Sequence, residues 1–204
     1  MHLDPHQLLH AYTRGIFPMA HNGRVYWHDP HPRAILPLEA LHVSRSLQRT
    51  IKKGTFTLSR NAAFAAVMRA CARPAPGRES TWISEDFVTA YSELHRWGLA
   101  HSVEVWQEER LVGGLYGVAI HGLFAGESMF SAERDASKVA LVHLVSHLRE
   151  RGFTLFDVQF MTEHLRRLGA IEIPRRAYHQ RLAAALKVPA YFQPLPLPPQ
   201  GQPT

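Results

Sequence analysis

The apolar positions first predict a helix near the N-terminus. Asp4 suits the N-cap and Pro5 the first helical position. Leu8 and Tyr12 then recur at a spacing that puts them on one helix face, and Gly15 provides a stop. Prolines are frequent from there to the next periodic segment, and they predict irregular chain.

A second helix, over residues 44–53, is apolar on one side and basic on the other. Val43, Leu47 and Ile51 fall on the apolar side. The basic side has no acid among its cations, which therefore repel one another. This side is either a solvated outer surface or a surface that contacts nucleic-acid phosphates. Its basic residues are Arg45, Arg49, Lys52 and Lys53.

The middle of the chain changes from helical spacing to the alternation of β-strands. Helices over residues 61–72 and 84–97 lead into three strands joined by tight turns, which predict a β-meander. The strands cover residues 101–107, 111–120 and 123–129.

After the meander, a helix from about Asp135 leads to one more strand, over residues 154–160. A short helix capped by Thr162 and a last helix from Pro174 follow. A meander that continues through a helix into a fourth strand predicts an α+β fold, also described as an α/β sandwich. Proline-rich residues 193–204 predict an extended tail.

Composition narrows the class of molecule. The chain has 204 residues, of which 46% are apolar and 20% charged, as expected for one globular domain or a small pair. Cys71 is the single cysteine, which excludes an internal disulfide and suits a reducing compartment. No apolar run reaches membrane-spanning length, and no signal peptide is evident. We expect a cytoplasmic protein without a membrane partner. Its net charge of +6 favours an anionic partner such as nucleic acid.

The strand over residues 154–160 carries an unusual polar pattern. Asp157 and Gln159 point to one side of an otherwise apolar strand that we expect inside the sheet. A buried carboxylate is costly unless it is paired or faces a solvated cleft. Asp157 is therefore either a satisfied structural residue or part of an acid–base or amine-binding pair with Gln159.

A second candidate site ends the third strand of the meander, where Glu127 precedes Ser128. This segment is not the nucleophile elbow of a serine hydrolase, because Phe130 stands where that motif needs glycine. His143 and His147 are four residues apart but have no glutamate of the zinc-protease motif between them. The sequence therefore does not predict a metal site.

Several segments, taken in order, resemble the leucyl/phenylalanyl-tRNA–protein transferase family. The resemblance extends from about residue 8 to residue 188. The matching segments are YTRGIFP (12–18), PR (32–33), HVSRSL (42–47), TWI (81–83), AY with LH (90–91 and 94–95), HSVEVW (101–106), LVGGLYGV (111–118), GESMFS (126–131), ASK (136–138), DVQ (157–159) and LGAIEI (168–173).

The resemblance implies a GNAT-like acyltransferase domain behind a small N-terminal domain. We expect the N-terminal domain over residues 1–33, the catalytic domain over residues 34–192 and the tail over residues 193–204. Typical members of the family begin further upstream of the first helix, so the N-terminal domain of this chain is expected to be shortened.

The resemblance also implies a reaction. Members of the family transfer Leu or Phe, and less well Met, from aminoacyl-tRNA to proteins with N-terminal Arg or Lys, which marks those proteins for degradation by the N-degron route. The expected partners are leucyl-tRNA, phenylalanyl-tRNA and such acceptor proteins, and we expect a monomer. Aminolysis of an activated ester needs no cofactor and no covalent intermediate with the enzyme.

The family roles map onto residues of this sequence. Gln159 would contact the acceptor amine, Asp157 would draw off its proton, and Glu127 would help to bind the aminoacyl group. An apolar pocket would select the aminoacyl side chain by size. Its residues would be Leu115, Met129, Leu141, Leu144 and Phe156.

The remaining family roles concern the tRNA. Trp82 and Phe124 would stack on the 3′-terminal adenosine, with Trp27 near this site, although Trp82 also suits ordinary core packing. The basic side of the second helix would contact tRNA phosphates, which position the tRNA without selecting the amino acid.

Two other functions stay open from the sequence. A GNAT-like fold also suits an acyl-CoA-dependent acyltransferase, although the R/Q-x-x-G-x-G/A loop of that class is not found before a helix here. A non-catalytic tRNA-binding module would use the basic helix but would leave Asp157 and Gln159 without a role.

Overall fold

The computed structural model describes residues 3–74 and 81–193. Most of the predicted proline-rich tail lies outside the described residues. A short 3₁₀ turn occupies Leu38–Ala40. The α-helices are α1 (Pro5–Thr13), α2 (Arg45–Lys52), α3 (Phe64–Ala72), α4 (Glu85–Arg96), α5 (Ala136–Glu150), α6 (Glu163–Arg167) and α7 (Arg175–Ala185).

The predicted caps Asp4 and Thr162 are confirmed, and Ser44 caps α2 as well. The Asp4 carboxylate accepts a hydrogen bond from the backbone N–H of His6 at 3.0 Å. The Ser44 hydroxyl accepts one at the start of α2, and the Thr162 hydroxyl accepts one at the start of α6. These side chains satisfy backbone N–H groups that the first turn of a helix leaves without partners.

The strands form a small hairpin and one large mixed sheet. The hairpin pairs β1 with β2. The large sheet has the order β4-β5-β6-β7-β8-β3-β9. The strands are β1 (Phe17–His21), β2 (Arg24–His28), β3 (Arg33–Ile35), β4 (Thr57–Arg60), β5 (Ala100–Gln107), β6 (Arg110–Ile120), β7 (Leu123–Ser131), β8 (Leu155–Gln159) and β9 (Ile171–Ile173).

The predicted meander and crossover are confirmed. β5, β6 and β7 pair antiparallel, and α5 then leads to β8, which pairs parallel with β7. This arrangement is an α+β fold of the GNAT-like kind. The glycines of β6 permit close packing, since a Cβ on Gly113 would lie 2.5 Å from the Cβ of Ala136.

The prediction of irregular chain between Gly15 and Pro37 was wrong. The hairpin lies there, and β3 inserts between β8 and β9 of the large sheet. Its three residues are all buried. Three residues are too few to show a periodicity in the sequence. The strand is stabilised by partners more than a hundred residues away, which local pattern does not reveal.

Helices cover both faces of the large sheet. α3 and α4 cover one face, where Tyr91 and Tyr116 are fully buried. α5 covers the other face, where Leu144 of α5 and Phe124 of β7 belong to one buried cluster. Within the described part of the chain, no helix has the length and apolarity needed to cross a membrane.

Candidate active site

A cavity opens where β7 and β8 separate. The two strands pair only from Leu123 to Ala125 and from Leu155 to Asp157, and the cavity of about 290 Å³ lies beyond that pairing. All five residues predicted to form the aminoacyl pocket lie in the lining of this cavity, so the prediction that they lie together agrees with the structure. They are Leu115, Met129, Leu141, Leu144 and Phe156.

A β-bulge positions Glu127 at this cavity. Gly117 pairs with Gly126 and Tyr116 pairs with Ser128, so Glu127 is the extra residue on β7. A bulge re-aims the side chain of its extra residue. The bulge directs the Glu127 carboxylate towards the tyrosines of α1 and α4.

The Glu127 carboxylate accepts several hydrogen bonds. Oε1 accepts from the Tyr12 hydroxyl at 2.7 Å and from the Gln159 amide at 2.9 Å, and Oε2 accepts from the Tyr91 hydroxyl at 3.4 Å. Burial raises the pKa of Glu127 to about 8, against the lowering effect of the Tyr12 hydrogen bond. The nearby charge of Asp157 adds to the rise. Glu127 therefore gains and loses a proton near neutral pH.

Gln159 is held in a rare backbone conformation. Its φ is 66°, in the left-handed region that non-glycine residues seldom adopt and that occurs often at functional sites. Its backbone N–H donates to Asp157 Oδ1 at 2.9 Å. This bond orients Gln159 so that its side chain lines the cavity and donates to Glu127.

Asp157 is buried in an ion pair that the sequence analysis did not anticipate. Arg33 Nε donates to Oδ1 at 2.9 Å, and Nη2 donates to Oδ2 at 2.6 Å. The Tyr178 hydroxyl also donates to Oδ2, at 2.7 Å. The Arg33 guanidinium lies over the rings of Phe17 and Tyr178. Because Arg33 and Asp157 are each only 1% exposed, this pair is a structural centre of the fold.

The ion pair argues against the predicted proton transfer to Asp157. The carboxylate oxygens of Asp157 already accept hydrogen bonds from Arg33, Tyr178 and the backbone N–H of Gln159. Asp157 is also not among the described residues that line the cavity. The reading of Asp157 as a satisfied structural residue therefore fits better, and Glu127 is the carboxylate presented to the cavity.

Of the three aromatic residues predicted at the adenosine site, Trp82 lines the cavity. Phe124 does not, because its ring is fully buried between Phe153 and Phe156 and has no exposed face for stacking. The structure contradicts that prediction. Trp27 pairs with Pro18 in the hairpin and is not among the described lining residues.

Some residues that line the cavity or contact Glu127 were not identified from the sequence as site residues. Tyr12 was predicted on the apolar face of the first helix, and both Tyr12 and Tyr91 lie in family motifs, but neither was predicted to reach Glu127, because that contact joins α1, α4 and β7. Met19 of the hairpin lines the cavity in place of Trp27. No local signal in the sequence distinguishes these residues from core residues.

The basic side of α2 lies on the surface. Its predicted residues are exposed and form no ion pair with any described acid. The apolar side is less buried than predicted, because Leu47 is buried while Ile51 is 39% exposed. The basic residues are Arg45, Arg49, Lys52 and Lys53.

The sheet separates around an apolar cavity with a carboxylate at its wall, so the site can hold an apolar group beside an acid–base residue. A family model described as leucyl/phenylalanyl-tRNA protein transferase matches residues 35–183, and the model of its N-terminal domain matches residues 1–31. The chain belongs to this family and is an aminoacyltransferase.

Curated relatives agree with the family match. The leucyl/phenylalanyl-tRNA–protein transferase of Herpetosiphon aurantiacus is 56% identical over 191 residues, which cover 93% of this chain and 98% of that protein. The one of Phenylobacterium zucineum is 57% identical over 192 residues, which cover 93% of this chain and 87% of that protein.

Solved structures of similar fold are more distant. L-PGS from Bacillus licheniformis is 14% identical with a TM-score of 0.46, covering 75% of this chain and 56% of that one. A GCN5-related N-acetyltransferase from Kribbella flavida is 12% identical with a TM-score of 0.44, covering 79% and 58%. This chain spans less than two thirds of either structure.

Proposed function

We propose that this protein transfers Leu or Phe, and less well Met, from aminoacyl-tRNA to the N-terminal amine of proteins that begin with Arg or Lys. The observation that supports this most is the meeting of an apolar cavity with the Glu127–Gln159 pair. Family membership adds to it. The product would enter the N-degron route in the cytoplasm, and a monomer suffices for the site described.

The proposed reaction is aminolysis of an ester. The acceptor amine attacks the aminoacyl carbonyl carbon, a C–N bond forms, and the bond from that carbon to the ribose oxygen of the adenosine breaks. The amine loses a proton and the ribose oxygen gains one. A free N-terminal amine has a pKa of about 7.7–8.0. Glu127, with a pKa of about 8, is matched to receive its proton.

Gln159 would place the attacking amine. Its amide nitrogen donates to Glu127, so its amide oxygen is available to accept a hydrogen bond from the amine beside that carboxylate. In this scheme Asp157 is a positioning residue, since it holds the Gln159 backbone and does not touch the reacting atoms. In its ionised form Glu127 also favours acceptors with a cationic first residue.

Cavity size would set the choice of aminoacyl group. Leu144 is fully buried at the cavity wall. We expect Leu144→Phe to narrow the cavity and to lower transfer of Phe about tenfold more than transfer of Leu, because one large side chain changes selectivity by about 1–3 kcal/mol. Competition between differently labelled leucyl-tRNA and phenylalanyl-tRNA measures the ratio. An equal loss for both donors would show that this wall does not select.

Trp82 would stack on the terminal adenosine. We expect Trp82→Ala to raise the KM for leucyl-tRNA about tenfold with little change in kcat, because stacking of a base on an aromatic ring contributes about 1–3 kcal/mol. Trp97→Ala is the matched control, since Trp97 is 39% exposed and does not line the cavity. Unfolding curves of both variants separate binding from core packing, and an unchanged KM for Trp82→Ala would assign Trp82 to the core.

A transfer assay tests the whole proposal. Purified protein is mixed with radiolabelled leucyl-tRNA and two peptides that differ only in starting with Arg or with Ala. Label on the Arg peptide alone supports the reaction and the acceptor rule together. Binding of tRNA without transfer to either peptide would favour the tRNA-binding module instead.

The acyl-CoA alternative is weakened by the start of α5. The pyrophosphate loop of acyl-CoA-dependent enzymes precedes a helix, and free N–H groups at such a helix start can hold phosphates. Here the backbone N–H of Ala136 donates to the Glu133 carbonyl, and that of Ser137 donates to the Ser131 hydroxyl at 3.0 Å. The chain itself therefore uses donors that a pyrophosphate would need.

A further inference from the structure

A groove beside the cavity is not used by the transfer chemistry described above. This α2–α6 groove lies between α2, α5 and α6 and has a volume of about 520 Å³. His164 lines both the groove and the cavity. Ser44 and Leu47 bound the groove at the start of α2. The groove therefore connects the cavity with the helix that carries the basic surface.

Two cationic side chains of the α2–α6 groove, Arg167 and Lys138, have N–H groups beyond those used in their ion pairs. Arg167 is 78% exposed and donates to Glu163 through Nε at 3.0 Å. Its two Nη groups have no acceptor in the described part of the chain, and a guanidinium can use all its N–H groups at once. The Lys138 ammonium donates to Asp135 at 2.7 Å and has further N–H groups. Glu163 and Asp135 each use one N–H group of these cations, so the remaining N–H groups can donate to an anion in the groove.

His164 marks the junction of the groove and the cavity. Its Nε2 atom is buried and has no hydrogen-bond partner within residues 3–74 and 81–193. A buried polar atom without a partner is costly, and a ligand can supply the partner. Burial, followed by the charges of Lys138 and Arg167, lowers the pKa of His164. The ring is then neutral at pH 7, which suits a hydrogen bond with a hydroxyl group such as that of a ribose.

We propose that the α2–α6 groove binds the sugar–phosphate backbone of the nucleotides that precede the terminal adenosine of the aminoacyl-tRNA. This inference rests on the proposed function, because the strand must leave the cavity once its adenosine is bound there. The path past His164 offers a hydroxyl partner, and Arg167 and Lys138 offer phosphate donors. The same path ends at α2, whose basic residues suit the phosphates of the acceptor stem.

Three donors of increasing length test this path. They are leucyl-adenosine, the leucyl ester of the trinucleotide CCA, and leucyl-tRNA. We expect Arg167→Gln to raise the KM for the trinucleotide and for the tRNA about tenfold, because a hydrogen bond to a charged group contributes about 1.5–3 kcal/mol. The KM for leucyl-adenosine and the kcat for all three donors stay unchanged.

Two other variants serve as matched controls. Arg166→Gln removes the neighbouring arginine of α6, which lies 3.6 Å from Glu172 and does not line the groove, so no KM changes. Arg49→Gln removes a cation of α2 and raises the KM for leucyl-tRNA alone. The salt dependence of trinucleotide binding also falls by about 0.7 in logarithmic slope for Arg167→Gln, as expected for one single-strand phosphate contact.

Each contrary result has a separate meaning. An unchanged KM for the trinucleotide in Arg167→Gln overturns the groove path. An equal rise for leucyl-adenosine overturns it as well, since Arg167 would then act on the cavity. If the wild-type protein transfers leucine from none of the donors, the proposed function fails. The groove is then judged by fluorescence anisotropy with the unacylated CCA trinucleotide, where Arg167→Gln must weaken binding about tenfold.

Discussion

Replacing Glu127 by Gln is expected to lower kcat for peptide aminoacylation about 10²–10⁴-fold, the range for loss of an acid–base group. The change keeps the shape of the side chain and removes the proton acceptor beside Gln159. Single-turnover transfer from leucyl-tRNA to an Arg-starting peptide measures this effect. Glu104→Gln is the matched control, because Glu104 is a fully buried carboxylate that does not line the cavity. Comparable losses in the two variants would remove Glu127 from the chemistry.

The pKa of Glu127 also predicts a pH dependence of stability with a definite sign. Its folded-state pKa, about 8, lies above the ordinary value of 4.5. Between these values the folded protein binds a proton that the unfolded chain has lost, so the free energy of unfolding falls as pH rises. Glu127→Gln removes the titrating group, so the variant does not show this fall in the free energy of unfolding. We expect the variant to gain stability relative to wild type across this window, on the order of 1 kcal/mol per pH unit. Urea unfolding at several pH values measures it, and parallel profiles would contradict it.

Asp157→Asn is expected to destabilise the protein by about 3–5 kcal/mol, because it removes the buried partner charge of the Arg33 guanidinium and leaves only the more distant Asp29 carboxylate, at 3.8 Å. Urea unfolding measures the change. Glu85→Gln is the surface control, since it breaks a two-point ion pair with Arg69 in which both side chains are more than half exposed. Exposed pairs of that kind contribute at most about 1 kcal/mol.

Asp157→Asn also shows whether Asp157 positions Gln159 or accepts the proton. If Asp157 positions Gln159, the pH dependence of the residual activity of Asp157→Asn persists with its midpoint moved to lower pH, because the charge of Asp157 contributes to the raised pKa of Glu127. Loss of that pH dependence would restore Asp157 as the proton acceptor. The double variant Arg33→Met with Asp157→Leu should lose less stability than the two single variants together, because no unpaired charge stays buried.

The local pattern of the sequence determined the main helices and strands of this protein. The spacing of apolar residues and the capping side chains predicted the helices, because these signals act within one or two turns. Alternation predicted the meander and β8, and it correctly predicted that Asp157 is buried within the sheet. The ordered motifs led to the right family. Each cap, periodic segment and motif consists of residues that are near one another in the chain.

Tertiary structure decided which of these residues reach the cavity. Arg33 and Asp157 pair across 124 residues of chain, and this contact turns a candidate base into a buried ion-pair partner. A bulge in β7 brings Glu127 to the hydroxyls of Tyr12 and Tyr91. Phe124, predicted to stack on adenosine, is instead fully buried in the core. Periodicity predicts which face of an element is buried, but strand register and helix packing decide whether that face meets the core or the cavity.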